Sequence, residues 1–208
     1  MITVGITGNV ASGKTTVAER WRDAGVPVID ADAIGHAVLA ENEEVQEELV
    51  KEFGGAILDY EENIDRRALR EKAFASPEKT AKLNAIVHPP LLERLDAELT
   101  RAREEGRDLA AVDAALVFEF HLDEVLDRVV LVTAPRELRM DRLRRARGLG
   151  EEEIERIMAA QLPDDAKAPE SDYVIVNDGT IDQLRDRADV VLEAIRQESE
   201  TREEEDDA

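Results

Sequence analysis

Residues Gly8-Asn9-Val10-Ala11-Ser12-Gly13-Lys14-Thr15 fit the spacing G-x-x-x-x-G-K-[ST]. Residues of these types at this spacing suit one chemistry, the binding of a polyphosphate. Backbone N–H groups must wrap around phosphate oxygens, through conformations that glycine tolerates. The start of the following helix adds the favourable end of its dipole. Lys14 brings a point charge to the terminal phosphates, and Thr15 offers a hydroxyl to Mg2+. Asn9, Val10, Ala11, Ser12, Gly13 and Thr16 complete the nucleotide-binding positions, so the segment reads as a site for ATP and Mg2+.

Three further groups of residues have side chains suited to phosphate chemistry. Asp30 and Asp32 follow an apolar run directly; a carboxylate there either caps a helix or orients and deprotonates an alcohol acceptor. Asp113 ends the run 109–112, where an acid either terminates a turn or meets Mg2+, directly or through water. Glu119, six residues on, is either solvated or a second acid facing the site. Arg136, Arg139, Arg142, Arg144, Arg145 and Arg147 form one basic island. They either pair with neighbouring carboxylates or close over a transferring phosphoryl group. His88 precedes two prolines and reads first as a helix-start residue, and Trp21 as packing.

The elements that must position these groups follow from periodicity and punctuation. Apolar runs at 2–7, 26–29, 109–112, 129–132 and 173–176 read as strands. Helical patterns fill 14–24, 32–53 in two pieces, 65–75, 77–86, 89–105, 135–147, a stretch ending near 162, and 181–198. Pro89 and Pro90 mark a helix start in this reading. Alternating strands and helices predict an α/β fold, a parallel sheet covered on both faces as three layers.

Composition narrows the function. The formal net charge of −22 opposes broad nucleic-acid binding. Absence of cysteine excludes disulfides and thiolate metal sites and suits a reducing cytoplasm. No apolar run approaches the roughly 20 residues of a membrane span. Six of the 27 basic residues are Lys; an acidic, lysine-poor surface suits either a salty cytoplasm, where repulsion is screened, or a genome that favours Arg and Glu codons.

Taken in order, TGNVASGKTT (7–16), VIDAD (28–32), FGG (53–55), RRALREKAF (66–74), LNAIVHP (83–89), MAAQLPDDAK (158–167) and DYVIVNDG (172–179) resemble the dephospho-CoA kinase family. The resemblance covers about residues 2 to 196. It implies a P-loop, nucleoside monophosphate kinase-like fold with a five-stranded parallel core, a helical substrate region and a lid. It also implies transfer of the γ-phosphoryl of ATP to the ribose 3′-hydroxyl of dephospho-CoA, the last step of coenzyme A synthesis. The core spans 1–32, 108–146 and 172–198, the helical region about 33–107, the lid about 147–170, and 199–208 form a disordered acidic tail. By this resemblance Asp32 positions and deprotonates the hydroxyl, Lys14 and Arg142 act on the phosphates, with Arg142 on the lid, and His88 and Arg67 lie on the acceptor side. Thr15 and Asp113 serve Mg2+. The implied protein is a cytoplasmic monomer or weak homo-oligomer with a small-molecule substrate and no membrane or nucleic-acid partner. In two segments the chain departs from the family: D-x-P-L-L-F-E is here Asp113-Ala114-Ala115-Leu116-Val117-Phe118-Glu119, and the phosphate loop has Asn9-Val10-Ala11 where the family commonly has glycine-rich residues. A kinase for another small acceptor, or an ATP-binding regulator without turnover, are the competing readings.

Overall fold

The structure, a computed structural model, describes residues 1–206, and at 200 and 202–206 the backbone alone. In chain order the elements are β1 (Ile2–Thr7), α1 (Lys14–Asp23), β2 (Val28–Asp30), α2 (Ala31–Glu41), α3 (Glu43–Phe53), α4 (Arg66–Ala73) and α5 (Pro77–Glu104). They continue with β3 (Leu109–Asp113), β4 (Arg128–Thr133), α6 (Arg136–Arg147), α7 (Glu151–Ala159), α8 (Asp164–Lys167), β5 (Tyr173–Val176) and α9 (Ile181–Asp206). The chain divides into two compact units, residues 1–30 with 99–208, and residues 31–98.

The first unit is built on a five-stranded, wholly parallel sheet in the order β2-β3-β1-β4-β5. All six residues of β1 are buried, as a central strand covered on both faces requires. On one face, Ile2, Val4, Ile6, Leu109, Ala111, Val130, Val132 and Ile175 pack with α1 and α9 through Val17, Trp21, Leu184, Ala188 and Ile195. Trp21 is fully buried, and its indole N–H donates to Ala188 O at 3.0 Å, so the ring fills the core without an unpaired polar group. On the other face Gly5 admits Leu126; a Cβ there would stand 2.9 Å from Leu126 Cδ1.

The second unit, 31–98, holds its own core of Val38, Val45, Leu49, Phe53, Ile57, Leu69, Ala73, Leu83 and Val87. Asn42 caps α3 by accepting from Val45 N–H, and Asp65 caps α4 by accepting from Arg67 and Ala68 N–H.

Two expectations are corrected. The two helices expected at 77–86 and 89–105 are one, α5, with Pro89 and Pro90 in its interior. Leu83, Val87, Leu91, Leu95 and Leu99 are all buried at four-residue spacing, and burial of this stripe outweighs the hydrogen bonds that two prolines remove. One of the two chain boundaries between the units, at 98/99, accordingly falls inside a helix. The tail expected to be disordered from 199 onward instead continues α9 to Asp206; the run from Glu198 contains no Gly or Pro to stop it. Residues 207 and 208 lie outside the described residues.

Candidate active site

The phosphate loop joins β1 to α1, and its two glycines are fixed by what surrounds them. A Cβ on Gly8 would stand 2.4 Å from Val132 O and 2.6 Å from Ser12 Oγ. Gly13 has φ +106, and a Cβ would meet Asn177 Nδ2 at 2.3 Å. Ala11 also takes a left-handed φ of 61°, a conformation that costs about 1 kcal/mol or more in an L-residue.

The surrounding structure holds the loop by its carbonyls. Arg139 Nε donates to Val10 O at 3.0 Å, and Arg142 Nη1 donates to Ala11 O at 3.0 Å. Asn177 Nδ2 donates to Ser12 O at 2.7 Å, and Arg142 Nη2 reaches Asn177 Oδ1 at 3.0 Å. With successive carbonyls engaged from one side, the peptide planes are fixed, and the loop amides are oriented without cost at the moment of binding. Inside the loop Ser12 N–H donates to Asn9 O at 3.0 Å. Ser12 Oγ is buried and has no hydrogen-bond partner among the described residues. A buried hydroxyl left unpaired carries a desolvation penalty of about 1–3 kcal/mol, and this one lies where the missing side chain of Gly8 leaves room.

Lys14 opens α1, and its Nζ lies 2.5 Å from Asp113 Oδ1. Their side chains are about 15% exposed, so the pair is shielded without being sealed. Register explains the meeting. Ile6 pairs with Asp113 across β1 and β3, which brings the carboxyl end of β3 beside the loop. Asp30 pairs with Asp113 on the far side, so two carboxylates stand at adjacent strand ends, where parallel sheets bind their ligands. Thr15 is exposed in the first turn of α1. Among the described residues no group of three His, Cys, Asp or Glu could hold a metal unaided. Mg2+ takes one or two protein oxygens and completes its shell with phosphate and water, and the Thr15 hydroxyl and Asp113 carboxylate are donors of that kind.

The six clustered arginines divide by position on α6. Arg139 is buried and ion-paired to Asp164 at 3.4 Å; burial pulls its guanidinium below the usual range, and Asp164 opposes that. Arg136 pairs with Glu155 at the surface, which raises its affinity for the proton. Arg145 pairs with Asp141 one turn away. Arg142, expected on the lid with its guanidinium on phosphates, sits on α6 and meets the carbonyl side of the loop.

The acceptor-side candidates belong to the 31–98 unit. Asp32 is exposed in the first turn of α2, where the helix dipole favours a carboxylate. Arg67 lies on α4, its side chain 85% exposed and paired with Glu71. His88 lies on α5, and its Nε2 is buried with no hydrogen-bond partner among the described residues.

Sequence reasoning missed the residues that brace the loop. Gln161 Oε1 accepts from Val10 N–H at 2.8 Å. Asn9 Nδ2 donates to Asp164 Oδ1 at 2.7 Å, and Thr133 Oγ1 donates to Asp164 Oδ2 at 2.5 Å. The segments MAAQLPDDAK and DYVIVNDG carry Gln161, Asp164 and Asn177. The motifs were visible, but a polar residue in a loop does not announce which backbone group it will meet.

Comparison with known proteins agrees with this geometry. The dephospho-CoA kinase family model matches residues 2–183. The chain is 38% identical over 196 residues to the dephospho-CoA kinase of Anaeromyxobacter dehalogenans, covering 94% of this chain and 93% of the relative. A solved Thermus thermophilus protein superposes with TM-score 0.77 at 37% identity, covering 95% of this chain and 97% of that one. The dephospho-CoA kinase of Campylobacter jejuni superposes with TM-score 0.66 at 26% identity, covering 93% of this chain and 96% of that one. A braced phosphate loop on a five-stranded parallel sheet and kinship along nearly the whole chain lead to one assignment: the chain belongs to the dephospho-CoA kinase family.

Proposed function

We propose that the chain transfers the γ-phosphoryl group of ATP to the ribose 3′-hydroxyl of dephospho-CoA, giving coenzyme A and ADP in the cytoplasm. The braced loop with Lys14 against Asp113, in a chain of this family, is the observation that carries the reading. The 3′-oxygen attacks the γ-phosphorus in line, the bond from phosphorus to the β,γ-bridging oxygen breaks, and the hydroxyl proton passes to the Asp32 carboxylate. Amides of the loop from Asn9 to Thr16, other than those of Val10, Ser12 and Thr16 that already donate within the protein, and the Lys14 ammonium take up the phosphate charge. Arg142 serves ATP by holding the carbonyls of Ala11 and Ser12, which aims the amides that follow. Thr15, with Asp113 directly or through water, would hold Mg2+, which supplies charge neutralisation at the phosphates. Arg67 and His88 bind the acceptor; an unpartnered buried Nε2 supports His88 in that role. A formal net charge of −22 favours a small-molecule substrate over polyanions, and we expect a monomer or weak homo-oligomer.

A coupled ADP-release assay with Mg-ATP, with and without dephospho-CoA, at low and molar KCl, tests the reaction. Acceptor-dependent ADP and a product heavier by one phosphate are expected. ATP binding without acceptor-dependent ADP at either salt would overturn the proposal.

A further inference from the structure

We infer that Lys167 is a positioning residue for phosphoryl transfer, tying the start of the phosphate loop to the segment that carries Asp113. The inference rests on the reaction proposed above and concerns a residue that touches neither substrate in it. Lysine is almost never fully buried unless paired, and the Lys167 side chain is 1% exposed. Its Nζ lies 3.2 Å from Glu119 Oε1 and donates to Asn9 Oδ1 at 3.1 Å. A buried ion pair is poor value for stability compared with apolar side chains of the same volume, so its use here points to geometry.

That geometry closes a ring. Asn9, the second residue of the loop, spends its whole carboxamide: Nδ2 donates to Leu162 O at 2.9 Å and to Asp164, while Oδ1 accepts from Lys167. Glu119 Oε1 also accepts from Leu162 N–H at 3.4 Å. Six residues earlier on the same segment, Asp113 pairs with Lys14 at the other end of the loop. Segment 113–119 therefore grips the loop twice, through Asp113–Lys14 directly and through Glu119–Lys167–Asn9. Between the two grips it contains no strand or α-helix to fix it. An ammonium, with three donors and no acceptor, meets a carboxylate and a carboxamide oxygen together. A neutral residue of similar length cannot, and the Lys14 ammonium would then lose its fixed position relative to the loop amides.

The test uses Lys167→Met and the double variant Lys167→Met/Glu119→Gln, which leaves no buried charge behind. Thermal melting identifies the folded variants. In those, kcat should fall about 10- to 100-fold while KM for dephospho-CoA stays within about twofold. Calorimetric titration with Mg-ATP, which needs no acceptor chemistry, should show affinity weakened about tenfold. An inactive wild type would remove the proposed acceptor, yet the titration would still decide the role of Lys167. Wild-type kcat with unchanged ATP affinity in either folded variant overturns the inference. Failure of both variants to fold overturns it too, leaving the pair as a structural staple.

Discussion

Residues 8–16 and residues 31–98 solve opposite problems. In the loop, carbonyls of Val10, Ala11 and Ser12 each accept from a side chain brought from α6 or from beyond β5, and Asn9 is held from α8. In the 31–98 unit two of the residues proposed to meet the acceptor, Arg67 and His88, are placed differently. Arg67 is 85% exposed and pairs with Glu71 one turn away, and His88 buries a ring nitrogen that has no hydrogen-bond partner among the described residues. Polyphosphate is one ligand with fixed geometry, so a rigid cradle suits it. A long acceptor needs only a few directed contacts, and side chains left adaptable can supply them. In the proposed reading, the nucleotide half is built into the backbone, whereas the acceptor half is written in side chains.

The largest predicted effect breaks the first half of that contrast. Lys14→Ala should lower kcat at least about 10³-fold, because it removes the ammonium proposed to meet the terminal phosphates; steady-state kinetics check it. Asp32→Asn should lower kcat by about 10² or more and leave ATP affinity intact; an unchanged kcat removes Asp32 from its role. Arg67→Ala should raise KM for dephospho-CoA several-fold while moving stability by no more than about 0.5 kcal/mol, since its ion pair is exposed. Denaturant melts beside initial rates separate the two.

The smallest effect is a control remote from the loop. Burial and the hydrogen bond to Glu198 push the Tyr173 phenol up to about 12 from its ordinary 10.0. Folding thus favours the neutral phenol. That contribution is full below pH 10 and is lost as pH rises through about 12. Tyr173→Phe should cost about 1 kcal/mol near neutral pH, leave kcat alone, and flatten the alkaline limb of the stability curve.

Much of this was legible in the sequence. Gly8, Gly13, Lys14 and Thr15 announce the cradle because a phosphate demands those types at those positions. The five strands were legible because a parallel sheet covered on both faces needs continuous apolar runs. Pro89 and Pro90 misled, because local propensity carries no record of the buried stripe from Leu83 to Leu99 that overrides it. Arg142 was expected on the phosphates and not as a holder of loop carbonyls, since which side of a loop an arginine reaches depends on how α6 packs. Gln161, Asp164 and Lys167 lie some 150 residues from the loop they brace, a separation that no periodicity spans.

The claim that ATP is recognised by the 1–30/99–208 unit while 31–98 carries the acceptor chemistry is tested most directly by paired calorimetry. Mg-ATP and dephospho-CoA would each be titrated into the wild type and into the triple variant Asp32→Asn/Arg67→Ala/His88→Ala. The account predicts ATP affinity unchanged within about twofold and dephospho-CoA affinity weakened at least about tenfold. Parallel loss of both affinities in a folded triple variant would contradict it.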